Sequence, residues 1–138
     1  MAYAEELKVY KSAYDLLLMT YTEMHTVPRE VRYTLLERLR DELTEVLILV
    51  IRANATHDKI GLIIQARELI AKVKIRFRIL SDMHCINEKK YARYAAAAVE
   101  VSKQLSGWQD YCAKHNTPKT SASVSIRNQQ DQGLSESE

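Results

Sequence analysis

Residues 59–78, KIGLIIQARELIAKVKIRFR, decide the reading of this chain. At about 100° of rotation per residue, Leu62, Ile63, Ala66, Leu69, Ile70, Val73, Phe77 and Leu80 fall on one broad face of a helix. Ile64, Ala71, Ile75 and Ile79 fall on a second face, roughly opposite. Arg67, Lys74 and Arg78 line one gap between the faces, and Lys72 and Arg76 lie in or beside the other. A helix of a monomeric bundle needs only one apolar face. The second face implies a partner surface, and the flanking cations imply that something acidic lies near it. Six Lys/Arg stand against Glu68 alone in this stretch, a local charge of +5.

Three more helices can be read on either side. The first is expected over residues 5–25, where Leu7, Tyr10, Tyr14, Leu17, Leu18 and Tyr21 recur at steps of three and four and form its expected core stripe. Thr26, Val27 and Pro28 break it, and Pro28 suits the first turn of the next helix. That second helix is expected over residues 28–53, with Val31, Leu35, Leu36, Leu39, Leu43, Val46, Leu47 and Val50 as its core stripe. Its second half, LILV between Val46 and Ile51, is apolar all round and must be covered all round. Ile48 and Leu49 are therefore expected to face a second subunit, an independent argument for an oligomer.

A turn follows at residues 54–58, with Thr56 or Asp58 as the expected N-cap of the third helix. Asn87 is the expected N-cap of the fourth, which spans residues 88–114 and carries Tyr91, Tyr94, Ala95, Ala98, Val101, Leu105, Trp108 and Cys112 at helical spacing. Gly107 beside Trp108 is expected to leave room for the ring or a neighbour. Three short breaks between long helices imply an all-α, antiparallel up-down-up-down four-helix bundle over residues 1–115. Residues 116–138 change to Ser, Gln, Asn and Asp and are expected to form a disordered polar tail.

The bulk composition narrows the function classes. The chain has 138 residues, 46% hydrophobic and 28% charged, with Gly 3 and Pro 2, which favours long helices over turn-rich β folds. A formal charge of +2 is too small to mark a nucleic-acid binder by itself. No apolar run approaches the ~20 residues of a membrane span. The opening residues lack a basic region followed by an apolar one, so a cytoplasmic setting with reduced thiols is expected, with Cys85 and Cys112 as packing residues. His25, His57, His84 and His115 are scattered at helix ends and turns, without the Glu-x-x-His or His-Glu-x-x-His spacing of metal-binding helices. No glycine-rich phosphate loop occurs. No catalytic group, metal or cofactor is expected. The remaining candidate is the row Arg67, Lys74 and Arg78, within about 40° of arc. Such a row can follow a phosphate backbone, or it can be a solvated face or pair with neighbouring acids.

Residues 27–40, VPREVRYTLLERLR, resemble the opening of the second helix in small bacterial four-helix bundle proteins. That superfamily includes proteins encoded in intervening sequences of ribosomal RNA genes and the accessory variability proteins of diversity-generating retroelements. LILVIRAN at residues 47–54, INEKKY at 86–91 and QLSGW at 104–108 favour the second branch. Ser106 departs from it, since members commonly carry a second glycine there. The resemblance covers about residues 5–112. It implies a homopentameric barrel of bundles with a positive surface, which binds the element's reverse transcriptase and RNA or DNA. It implies a non-enzymatic role in error-prone copying of a template repeat into cDNA. The other branch would make this a stand-alone, structural or RNA-associated bundle. Helical angles and likeness together make Arg52, Arg67, Lys72, Lys74, Arg76 and Arg78 candidate contacts to nucleic acid or polymerase. Ile48, Leu49, Ile64, Ala71, Ile75 and Ile79 become candidate subunit contacts.

Overall fold

A computed structural model describes the backbone of residues 4–115 and the side chains of residues 8–115. The tail expected over residues 116–138 lies outside the described residues. Four long helices, and no strand, occur among those described: α1 (Ala4–Thr22), α2, α3 (Ile60–Asp82) and α4 (Glu88–His115). Helix α2 is continuous through three stretches, Arg29–Val31, a wide π-type turn at Arg32–Leu36, and Glu37–Asn54. Helices α1 and α3 each pack against both α2 and α4, which is consistent with a four-helix bundle.

Local chemistry sets the ends of these helices. Pro28, at φ −56° and ψ 150°, stands immediately before α2, where its missing N–H costs nothing. In the π turn the Glu37 N–H reaches back to the Arg32 carbonyl. A π turn holds an extra residue, so it shifts the apolar stripe. Val31 and Leu35, both expected in the core, are accordingly only partly covered. Neither Thr56 nor Asp58 caps α3; Lys59 occupies the N-cap position without a side-chain bond. Its ammonium instead donates to the carbonyls of Ala53 and Thr56, both at 2.7 Å, and so satisfies the orphan end of α2. At α4 the expected cap forms: the Lys90 N–H donates to Asn87 Oδ1 at 2.8 Å.

The end of α3 holds a strained residue. His84 sits at φ 61°, a left-handed conformation that favours glycine. Cys85 N–H bonds to Leu80 O at 2.9 Å and His84 N–H to Ser81 O at 3.0 Å, the two bonds of a Schellman ending. His84→Gly is therefore expected to raise stability by about 1 kcal/mol, read as a higher urea midpoint at unchanged slope.

The core follows the expected stripes on three helices. Leu36, Leu39, Leu43, Val46, Leu47 and Val50 of α2 are buried, as are Ile63, Ala66, Ile70, Val73, Phe77 and Leu80 of α3. From α4 come Tyr94, Ala98, Val101, Leu105, Trp108 and Cys112. Phe77 and Tyr94 stack across the α3–α4 contact with centroids 5.4 Å apart. Each large aliphatic side chain buried this way contributes roughly 1.5–3 kcal/mol. Helix α1 corrects the expectation. Its buried face is Val9, Ala13, Leu16 and Thr20, while Tyr10, Tyr14, Leu18 and Tyr21 are exposed. The small Ala13 and Thr20 fit a close helix approach. Thr20 satisfies its buried hydroxyl by donating to Leu17 O at 2.6 Å, and the tyrosines keep their hydroxyls in water.

Candidate nucleic-acid interface

Helix α3 has two flanks beside its core face, and they treat their cations differently. On the α2 flank, Arg76 donates from Nε and a terminal nitrogen to both carboxylate oxygens of Glu42, at 2.7 and 2.9 Å. This bidentate bond raises the Arg76 pKa further, against the opposing effect of burial. Arg76 is thus a half-buried tie between α2 and α3, not an open contact for phosphate. Leu49 lies seven residues beyond Glu42 on the same side of α2, and it too faces α3; at 2% exposure it belongs to this bundle's own core. It is not available to a second subunit.

The α4 flank carries the row Arg67, Lys74 and Arg78. Arg67 is exposed and donates to Gln109 Oε1 at 2.8 Å. Arg78 is exposed and lies 3.3 Å from Asp82, whose hydrogen bond raises the Arg78 pKa; Tyr91 adds to the shift. An exposed pair of this kind contributes little to stability, so Arg78 can exchange Asp82 for another anion. Lys74, half-buried between them, makes no ion pair among the described residues. On α4, Tyr91, Ala95, Ser102, Ser106 and Gln109 share the facing flank and are all half-buried. Three of these five are short, so the cations stand along a shallow seam. Gly107, expected to make room for a neighbour, has nothing within 4 Å of where a Cβ would stand.

The remaining candidates sit elsewhere. Lys72 is exposed on the far edge of α3, and Arg52 is exposed near the end of α2. Ile48, Ile64, Ala71, Ile75 and Ile79 are all exposed, with Ile75 the most open of the four isoleucines at 61%. Arg67, Lys74 and Arg78 are therefore one group, Lys72 and Arg52 stand apart from it, and Arg76 is occupied.

Sequence reasoning missed a polar cluster where the end of α1 meets the start of α4. Arg93 donates to Glu23, the Tyr94 hydroxyl donates to Glu23 Oε1 at 3.0 Å, and the Lys90 ammonium donates to the Glu23 backbone carbonyl at 2.8 Å. The Arg93 bond, chiefly, holds the Glu23 carboxyl below its ordinary value of 4.5. Burial, then the bond to Glu23, pushes the Tyr94 phenol up to about 12. The linkage signs are opposite in effect. Stability from Glu23 is present above pH 4.5 and is lost as pH falls through its depressed folded value. Stability from Tyr94 is present below its ordinary 10.0 and is lost as pH rises through about 12. Urea unfolding across pH should show both limbs. Glu23→Gln should flatten the acid limb and Tyr94→Phe the alkaline one.

A cleft of about 630 Å³ opens at the same end, lined by Thr26, Asp82, His84, Cys85, Asn87 and Lys90 among others. No group of His, Cys, Asp or Glu among the described residues could hold a metal ion. No described helix is long and apolar enough to cross a membrane. Comparison of the chain with protein-family models, with curated proteins and with solved structures finds no match.

Proposed function

We propose that this chain is a non-enzymatic accessory protein of a diversity-generating retroelement. In this reading it is an antiparallel up-down-up-down bundle that assembles into a homopentameric barrel in the cytoplasm. The barrel binds the element's reverse transcriptase together with RNA or DNA and supports mutagenic cDNA synthesis. The observation that carries the reading is the open row Arg67, Lys74 and Arg78 along the α3–α4 seam. Arg67 and Arg78 are themselves exposed, with a Gln109 bond and an exposed Asp82 pair, and Lys74 has no ion pair among the described residues. The resemblance over residues 27–40, 47–54, 86–91 and 104–108 gives the row its context. Repetition of the row around a ring would multiply a local positive field.

The test is the salt dependence of binding to labelled RNA and DNA oligonucleotides. Each phosphate neutralised on a single strand should contribute a slope of about −0.7 in log K against log salt. Three contacts per copy then give a slope of about −2. Binding that is absent at low salt, or unchanged between low and moderate salt, overturns the nucleic-acid reading. A reverse transcriptase gene beside this one, whose product co-purifies with the chain in low salt, is the expected result for the retroelement assignment, and the absence of either counts against it.

A further inference from the structure

The α3–α4 seam holds positive charge that the described residues leave largely unanswered. Arg67 and Lys74 have no carboxylate partner among them, and Arg78 has the exposed Asp82. The other acids nearby do not line the seam. Glu68 and Asp110 are exposed one position past Arg67 and Gln109, about 100° further round their helices, so they point outward. Glu88 is exposed at the start of α4, beyond the Arg78 end of the row. Ala95, Ser102 and Ser106 keep the α4 side of the seam low, which leaves room for an extended backbone.

The sequence carries an acidic stretch that this seam fits. Residues 128–138, NQQDQGLSESE, hold Asp131, Glu136 and Glu138 and no cation. They lie outside the described residues, but α4 fixes where the chain leading to them departs. Arg67 meets Gln109 and Arg78 meets Tyr91, so the row runs away from His115 as α3 numbers rise. His115 lies about 9 Å along α4 from Gln109, and Arg78 lies about 17 Å along α3 from Arg67. The whole path from His115 to Arg78 is thus roughly 25 Å. An extended chain covers up to about 50 Å from His115 to Asp131 and up to about 75 Å to Glu138. Reach is ample.

The spacings agree in order as well. Arg67 and Lys74 are about 10 Å apart along α3, and Asp131 to Glu136 can span up to about 17 Å. Lys74 and Arg78 are about 6 Å apart, and Glu136 and Glu138 project from one side of an extended chain about 7 Å apart.

We infer that residues 131–138 of this chain lie in its own α3–α4 seam, with Asp131, Glu136 and Glu138 against Arg67, Lys74 and Arg78. Each ion pair is exposed and weak alone, but attachment close to the seam gives the segment an effective concentration of about a millimolar. The segment takes the same cations that a phosphate backbone would take. It therefore restrains nucleic-acid binding until a stronger polyanion displaces it. The restraint rests on the nucleic-acid reading proposed above; the docking itself does not.

Crosslinking tests the docking with no nucleic acid present. A carbodiimide joins a carboxylate to a lysine amine as an amide, with loss of water. In the full chain, Lys74 should be joined to Asp131, Glu136 or Glu138 about tenfold more often than Lys72. Lys72 is exposed and Lys74 half-buried, so accessibility alone would favour the reverse. Mixing ordinary with isotope-labelled chain should show that the links form within one copy. Arg67→Glu with Arg78→Glu should remove the preference while Lys74 remains to react. No preference for Lys74 over Lys72, links chiefly between copies, or a preference that survives the double reversal overturns the docking.

The restraint is read by fluorescence anisotropy with a labelled single-stranded oligonucleotide at low salt. Asp131→Asn, Glu136→Gln and Glu138→Gln together should raise the affinity about tenfold. Glu37→Gln, Asp41→Asn and Glu45→Gln remove the same charge from exposed positions on α2, which packs on the other flank of α3. That control should gain less than about twofold, because screening weakens distant charges. Equal gains, or none from the first set, overturn the restraint. If no variant binds the oligonucleotide, the nucleic-acid reading and the restraint fail together, and the crosslinks alone decide the docking.

Discussion

Replacing Arg67, Lys74 and Arg78 together by glutamate is expected to lower affinity for RNA or DNA by about a thousandfold at low salt. Each reversal removes an attraction to phosphate and adds a repulsion. The three positions lie on one flank of α3 within about three turns, close enough for one stretch of phosphate backbone to span them. The fold should survive. The Arg78–Asp82 pair is exposed on both sides, and the Arg67–Gln109 bond is an exposed surface bond. Arg76→Ala is the control with the opposite profile. It strands the half-buried Glu42 carboxylate, so stability should fall by about 1–3 kcal/mol while binding changes little. Fluorescence anisotropy with a labelled oligonucleotide, beside urea unfolding, separates the two. If the triple variant binds as the wild type does, the row is only a solvated face.

The contrast between Arg67 and Arg76 marks how far the sequence could be read. Helical angles correctly separated the core face of α3 from its flanks, because Ile, Val and Phe recur there without interruption. The angles could not say which flank faces an acid. Glu42 lies 34 residues from Arg76, and only packing brings them together. Leu49 failed for the same reason: an all-apolar stretch at residues 46–51 has no polar side to show where coverage ends. In α1 the large apolar and aromatic residues at helical spacing point to the Tyr10, Tyr14, Leu18 and Tyr21 face. The structure buries a thinner face instead, since Ala13 and Thr20 permit close approach and tyrosine tolerates water at its hydroxyl. The left-handed His84 gave no sequence signal, because glycine or asparagine would normally mark that position. Of the candidate interface, the row Arg67, Lys74 and Arg78 was legible as a helical spacing, but the short α4 side chains beneath it became meaningful only once α3 and α4 were seen in contact.

Trp108→Ala should be the most damaging single core substitution, with an expected loss of about 3–5 kcal/mol. Trp108 is 2% exposed, and with Phe77 and Tyr94 it is one of three aromatic side chains in the described core. The cost has two parts: the lost transfer of the indole from water, and the void left between helices that relax only partly. Gly107 next to it cannot help, since it faces open space rather than the core. A domain of this size holds about 5–15 kcal/mol in total, so the variant would lose a large fraction of its stability. Because the chain has Trp 1, the substitution also removes the natural fluorescence probe, and helicity at 222 nm must report unfolding instead. Leu49→Ala belongs in the same experiment as a sharper discriminator. A core Leu49 predicts a loss of about 2–5 kcal/mol at constant denaturant slope, independent of protein concentration. A Leu49 that met another subunit would instead make the loss depend on concentration, because the contact would exist only in the assembly.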